Sequence, residues 1–101
     1  MRVAIKEPKK PIVFKEIEGT LESFQKAVGG YIDIINVEEN LLVIFNDEGR
    51  LLGLEPNFYF ETTLLVGTVI FCNTDGEKFF SLSSGNERFL QNLEREGYFI
   101  G

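Results

Sequence analysis

The sequence predicts one α+β domain over residues 1–101, built mostly on an antiparallel sheet. Short segments in which apolar and polar residues alternate, the pattern of half-buried strands, outnumber the segments with helical periodicity. Two segments do carry apolar residues at helical spacing, and each lies between a capping residue and a glycine. With 101 residues, of which 44% are hydrophobic, the chain has the size and apolar content of a domain with a single core.

The N-terminal segment predicts a β-hairpin. Residues 2–6 and 12–17 both alternate apolar with polar residues, and the proline-containing segment 7–11 lies between them. Because proline cannot donate a hydrogen bond to a neighbouring strand, this segment interrupts the ladder and is typical of a turn.

A helix and a third strand are predicted next. Thr20 can cap a helix, and Gly29-Gly30 can end it in a left-handed turn. The apolar residues that share one face of this helix are Leu21, Phe24, Ala27 and Val28. Residues 31–35 then alternate as a strand. The order strand, strand, helix, strand resembles the opening of a β-grasp domain, although small α+β folds reach this order by several routes.

Two further hairpins are predicted in the middle of the chain. Residues 43–49 and 69–76 each combine a strand pattern with a turn that contains Asn, Asp and Gly, so we expect return strands at 50–52 and 78–80. The second segment holds one extra residue, Cys72. An added residue reverses the face that each side chain occupies unless a β-bulge absorbs it, and the sequence leaves both outcomes open.

The C-terminal segment predicts a short helix. Ser84 and Glu87 have the spacing of a capping box, and Gly97 is the expected stop. The apolar stripe of this helix is formed by Phe89, Leu90 and Leu93. We expect residues 98–100 to pack against the sheet or against a second copy of the chain.

Two residue types that carry much enzyme chemistry are almost absent. The chain has no histidine and a single cysteine, whereas serine-histidine triads, cysteine-histidine dyads, histidine zinc sites and cysteine clusters need them. We therefore expect no catalytic residue, no metal ion and no cofactor. Cys72 ends the apolar run 69–72, which predicts a buried and unreactive thiol.

The charge of the chain is unevenly distributed. Residues 1–26 carry six bases and four acids, a sum of +2, so the net charge of −6 leaves −8 for residues 27–101. Because binding to a nucleic-acid backbone depends on clustered cations, we expect no nucleic-acid partner. Solubility explains this uneven charge. The alternative is that the acidic residues form a face that binds a basic partner or mimics DNA.

No segment predicts insertion into a membrane. The longest apolar runs fall far short of the ~20 residues that a crossing needs. Residues 1–6 lack the apolar stretch of a secretory signal, and one cysteine allows no disulfide within the chain. We expect a cytoplasmic protein without a membrane partner.

Several short motifs resemble one known family. Residues 28–33 (Val-Gly-Gly-Tyr-Ile-Asp), residues 46–51 (Asn-Asp-Glu-Gly-Arg-Leu) and the Pro56-Asn57 step are similar to DUF3846, a family of small domains of unknown function from phages, plasmids and gut bacteria. The resemblance implies no activity; its setting on mobile elements implies an accessory role such as countering host defence. Where the family pattern places an arginine after Pro-Asn, this chain has Phe58, which removes the anion contact that such an arginine would make.

The candidate binding residues are polar or aromatic side chains that backbone geometry does not explain. Polar groups at strand ends can converge on one rim of a sheet, and the aromatic run 56–60 predicts at least one exposed ring. We single out Tyr31, Asn46, Glu48, Arg50, Asn57, Phe58 and Tyr59 as the ligand- or partner-binding set. For the turn residues the alternative is a structural role in satisfying loop amides, and for the aromatic run it is an edge strand or a covering loop.

The favoured hypothesis is a non-enzymatic binding protein of a phage or mobile element. It would recognise a host protein or a small molecule and could form a homodimer through its aromatic edge. One alternative is a sponge for a small ligand or nucleotide signal, with Asn46, Arg50 and Asn57 as polar contacts and Tyr31 or Tyr59 as a stacking face. Another is an enzyme that uses carboxylate and tyrosine side chains, such as Glu48 with Tyr31, as acid and base.

Overall fold

A computed structural model describes residues 1–101 and confirms the α+β class. The elements in chain order are β1 (Arg2–Lys6), β2 (Val13–Glu16), α1 (Leu21–Val28), β3 (Ile32–Glu38), β4 (Leu41–Asn46), β5 (Pro56–Phe60), β6 (Thr63–Val66), β7 (Val69–Thr74), β8 (Phe79–Phe80) and α2 (Ser84–Arg95). Neither helix is long and apolar enough to cross a membrane.

The strands form one large and one small antiparallel sheet. The large sheet has the order β2-β1-β7-β4-β3, and β8 extends it by pairing with the end of β7. The small sheet is the hairpin of β5 and β6. The predicted opening of hairpin, helix and strand is confirmed, and it places β2 and β3 at opposite edges of the large sheet.

Helix α1 covers one face of the large sheet. Thr20 caps it by accepting a hydrogen bond from the Ser23 amide, and Gly29 ends it with a left-handed φ of 82°, as predicted. Its buried residues Phe24 and Val28 pack on the side chains that point to this face, which include Val3, Leu42, Ile44, Ile70 and Cys72.

The small sheet, α2 and the C-terminal segment 98–100 cover the other face. The buried side chains of this larger cluster are Ala4, Leu41, Val43, Phe58, Leu65, Val69, Phe71, Leu82, Leu90 and Phe99. Because alternate residues of each central strand point to opposite faces, the strands β1, β4 and β7 supply side chains to both clusters. The large sheet is therefore the middle layer of the domain.

The predicted hairpin of residues 43–52 is wrong. β4 pairs with β3 through a tight turn in which Asn40 has a left-handed φ of 61°, and it pairs with β7 on its other side. Residues 47–53 form consecutive turns, and 50–52 form no strand. The carbonyl groups of Glu48 and Gly49 accept from amides four and five residues later, which winds this segment into a helical path.

The hairpin of β7 and β8 is confirmed, but Cys72 causes no bulge. Residues 41–44 pair with residues 70–73 without interruption, and the register shift of the large sheet lies between Asn36 and Glu38. Cys72 is fully buried, as predicted, and burial raises the pKa of its thiol to about 12.

The cap of α2 lies one residue earlier than predicted. Ser83, not Ser84, accepts the hydrogen bond from the Asn86 amide. Glu87 does not reach back to the cap, because its carboxylate binds the Arg2 guanidinium with N···O distances of 2.6 and 3.1 Å. The predicted stop at Gly97 is confirmed by its left-handed φ of 77°.

Candidate functional site

Three of the predicted binding residues line one cleft. Asn46 ends β4, Glu48 and Arg50 lie in the turns that follow it, and the facing wall is β6 with the residue before it. The cleft has a volume of about 380 Å³ and is lined by residues 45–51 and 62–66. We call it the turn cleft.

Asn46 builds the turn and does not offer its side chain to a ligand. It is only 4% exposed, and its Nδ2 donates to the Val28 carbonyl at 3.1 Å. Its Oδ1 accepts from the Glu48 amide at 2.8 Å, a bond typical of Asn at turns. Asn46 therefore ties the turn to the end of α1.

Gly49 sets the width of the turn cleft. A Cβ atom at this position would lie 2.7 Å from Cγ2 of Val66 and 3.4 Å from the Asn46 carbonyl oxygen. Any larger residue would push the turn away from β6, so the close approach of the two walls requires glycine here.

Arg50 reaches across the turn cleft to the unpaired edge of β6. β6 pairs with β5 alone, so its other edge faces the cleft. The exposed Arg50 side chain donates from Nη2 to the Leu64 carbonyl at 3.1 Å. The Leu64 carbonyl therefore accepts from a side chain and not from a neighbouring strand.

Exposed apolar side chains surround the same turn. Leu51 is 85% exposed and Leu52 is 59% exposed. Tyr31 is 69% exposed and adjoins the turn, since its carbonyl accepts from the Asp47 amide at 2.9 Å. Glu48 and Arg50 thus line the turn cleft, and Tyr31 is exposed next to the turn without lining the cleft.

Asn57 and Phe58 do not line the turn cleft, and the prediction that they contact a ligand there is corrected. Both are almost fully buried, at 0% and 1% exposure. Strand alternation would place them on opposite faces, but the register of the β5–β6 pair shifts between Pro56 and Phe58. A bulge there explains why two successive side chains point inward.

Asn57 has a structural role at the base of the small sheet. Its Nδ2 donates to the carbonyl oxygens of Lys6 and Gly67, both at 2.9 Å, while its Oδ1 is buried without a hydrogen-bond partner. Asn57 therefore joins the end of β1 to the chain that follows β6.

The aromatic edge predicted to support a homodimer is closed by the chain itself. Tyr59 is exposed, as expected for one ring of this run, at 55%. However, the outer edge of β5 is occupied by the C-terminal segment: the Ile100 amide donates to the Asn57 carbonyl at 2.8 Å, and the Tyr98 hydroxyl donates to the Tyr59 carbonyl at 2.7 Å. Phe58 packs inside, against the rings of Phe71, Tyr98 and Phe99.

One charged residue with an unusual position was not singled out from the sequence. Lys6 is only 3% exposed, and burial lowers the pKa of its amine, with Glu94 acting in the opposite sense. Nothing in the sequence near β1 predicts that its last side chain is covered. No three acidic or cysteine side chains come together as a metal-binding group would require.

Comparison with protein families identifies the family of this chain. The family model of DUF3846, a domain of unknown function, matches residues 1–94. Neither the search of curated proteins nor that of solved structures found a match.

Proposed function

This chain belongs to the DUF3846 family of domains of unknown function, and from that premise we propose that it is a non-enzymatic binding protein that holds an extended segment of a partner protein in the turn cleft. The observation that supports this proposal is the unpaired edge of β6, which faces an open cleft beside the exposed Leu51.

An unpaired strand edge offers main-chain hydrogen bonds to a second chain. Proteins often recognise extended peptides by adding them as a further strand, with affinity from the main chain and specificity from side-chain pockets. Here the Leu64 carbonyl already accepts from a side chain, Arg50, and not from a strand. A partner segment would replace or flank that bond.

The charge of the cleft favours a basic partner segment. The turn contributes Asp47 and Glu48 against the single cation Arg50, and the whole chain has a net charge of −6. Electrostatic complementarity of this kind mainly raises association rates and selects among partners. Leu51, at the rim, would pack against an apolar side chain of the segment.

The family resemblance gives this proposal a biological setting. A protein of phages and plasmids that acts by binding would meet its partner, a host protein, in the cytoplasm. The proposal requires neither catalysis nor a cofactor, since the partner is held by surface contacts and main-chain hydrogen bonds.

Binding of a peptide library to the purified chain tests this proposal. We expect selection of extended peptides that combine lysine or arginine with apolar residues, and we expect the bound peptide to shift the amide NMR signals of residues 47–51 and 62–66. Leu51→Ser should weaken binding by about tenfold, the loss of one well-packed apolar contact.

Leu21→Ser is the matched control. Leu21 is 58% exposed on α1, and it lies outside the turn cleft. Its replacement should leave peptide affinity unchanged. Selection of no peptide, or equal loss of affinity in both leucine variants, would contradict the proposal.

A further inference from the structure

We propose that a pocket at the end of β1 is a second binding site, which takes a small molecule bearing a phosphate group. The pocket has a volume of about 330 Å³, and its lining includes Lys6, Lys9, Lys10, Glu94, Phe99 and Ile100. We call it the lysine pocket. It shares no lining residue with the turn cleft, so it does not depend on the function proposed above.

The cation of Lys6 is buried without a salt bridge, and the acid that acts on it, Glu94, does so from beyond salt-bridge distance. Lysine is almost never buried unless it is paired, because removing a charge from water is costly. Lys6 is only 3% exposed, yet it takes part in none of the four salt bridges of the chain. An anion in the pocket would supply the missing partner.

The Lys6 ammonium has hydrogen-bond donors that no neighbouring group accepts. Nζ donates to the Glu7 carbonyl at 2.8 Å and lies 5.2 Å from the centre of the Phe99 ring. An ammonium has three donors, and one is used here. The only acidic side chain that lines the pocket, Glu94, accepts through Oε2 from the Ile12 amide at 2.7 Å.

The lining of the lysine pocket holds more lysine than acid, and two of its three lysines pair with acids outside the lining. Its three lysines and one glutamate give a side-chain charge of +2, whereas the whole chain carries −6. Lys9 lies 3.6 Å from Glu55 and Lys10 lies 3.8 Å from Glu7, and these exposed pairs are weak. Both lysines are therefore free to turn toward an anion.

The chemistry of the pocket favours phosphate over a larger or neutral ligand. An ammonium group is a point charge that suits the several oxygens of a phosphate, whereas planar carboxylates are better matched by arginine. Lys6 supplies one such group, and Lys9 and Lys10 would supply two more on turning away from Glu55 and Glu7. A volume of about 330 Å³ lies at the small end of ligand sites, so the pocket suits a small phosphate-bearing molecule.

Asn57 acts as a positioning residue for this pocket. Its side chain holds the Lys6 carbonyl, and its own carbonyl accepts from the Ile100 amide. One buried residue thus fixes two walls of the lysine pocket, the end of β1 and the C-terminal segment. This gives the Pro56-Asn57 motif a function without contact to the ligand.

Titration of the full chain with pyrophosphate, followed by amide NMR shifts, tests the assignment. We expect saturable shifts confined to residues 6–10 and 97–101. Lys6→Met, which keeps the length of the side chain and removes its charge, should weaken binding at least about tenfold, the loss of one hydrogen bond to a charged group.

Two further variants separate local binding from general charge effects and from misfolding. Lys26→Met removes an exposed lysine of α1 and should leave the affinity unchanged. The double variant Lys9→Met with Lys10→Met changes exposed residues only, so it should stay folded and still weaken binding about fivefold.

Three results would overturn the proposal. One is the absence of saturable shifts with pyrophosphate. Another is an equal loss of affinity in the Lys6 and Lys26 variants, which would indicate attraction to charge anywhere on the chain. The third is acetate binding as tightly as pyrophosphate, which would make the pocket a carboxylate site.

Discussion

The turn cleft and the lysine pocket are held together in different ways. One wall of the turn cleft is the end of β4 and the consecutive turns after it, whose carbonyls and amides bond to one another over a few residues. The lysine pocket joins the end of β1, α2 and the C-terminal segment, which are distant in sequence. The first should tolerate local damage, whereas the second should depend on the buried residues of β5 that link its walls.

Among the variants that test this difference, Phe58→Ala should lose the most stability. Phe58 is 1% exposed and packs against Phe71, Tyr98 and Phe99. Truncating a buried phenylalanine removes apolar contacts and leaves a cavity, so we expect a loss of about 4 kcal/mol in the free energy of unfolding, measured by urea denaturation. The C-terminal segment should also lose protection from hydrogen exchange.

The neighbouring residue provides the control for this loss. Tyr59 belongs to the same strand but is 55% exposed, and the Tyr98 hydroxyl binds its main-chain carbonyl, which a substitution retains. Tyr59→Ala should cost less than about 1 kcal/mol. Equal losses in the two variants would contradict the bulge that turns Phe58 inward.

Asn57→Ala is expected to have the next largest effect. The change leaves the buried carbonyls of Lys6 and Gly67 without their donor, and each unsatisfied buried group costs about 1–3 kcal/mol. Removing the unpaired Oδ1 offsets part of this, so we expect a net loss of about 3 kcal/mol in urea denaturation. A stability close to that of the parent would show that Asn57 does not hold the lysine pocket.

Local signals predicted most of the fold. The cap at Thr20, the stops at Gly29 and Gly97 and the hairpin of β7 and β8 each depend on residues close in sequence. The predicted return strand at 50–52 is wrong because of an interaction between residues that are distant in sequence. Asn46 is anchored to the end of α1, 18 residues away, and its other hydrogen bond turns the chain.

The candidate site was predictable only where it is local. Glu48 and Arg50 lie on one turn, and their shared position follows from the sequence. The burial of Asn57 depends on a bulge, and that of Lys6 depends on packing by the C-terminal segment, including Phe99. The residues next to Asn57 and Lys6 in the sequence show no pattern that predicts the burial of either side chain.

Asn46→Ala should affect stability less than Asn57→Ala. Only one of its two hydrogen bonds, that to the Val28 carbonyl, is buried, whereas both side-chain bonds of Asn57 are buried. The Glu48 amide lies in a partly exposed turn, where water can replace the lost acceptor. We expect a loss of about 1.5 kcal/mol in urea denaturation, with pyrophosphate affinity unchanged. If Asn46→Ala costs as much as Asn57→Ala, the contrast between a local and a long-range site is wrong.

The smallest effect we expect is a pH dependence of stability caused by Glu87. This residue joins α2 to β1 through Arg2, and α2 also carries Glu94 of the lysine pocket. The hydrogen bond from Arg2 holds the pKa of the Glu87 carboxyl below its usual value of about 4.3. A carboxyl with a lowered pKa in the folded state contributes stability above its unfolded pKa and loses that contribution as pH falls through its folded pKa. Glu87→Gln should therefore be less stable than the parent at pH 7, and the difference should shrink as the pH falls below the unfolded pKa of about 4.3. Urea denaturation at pH 7 and pH 3 measures this, with Glu39→Gln, an exposed acid outside any salt bridge, as the control. A difference between the parent and Glu87→Gln that stays constant from pH 7 to pH 3 would mean that packing of the helix, and not the charge on Glu87, holds this wall of the pocket.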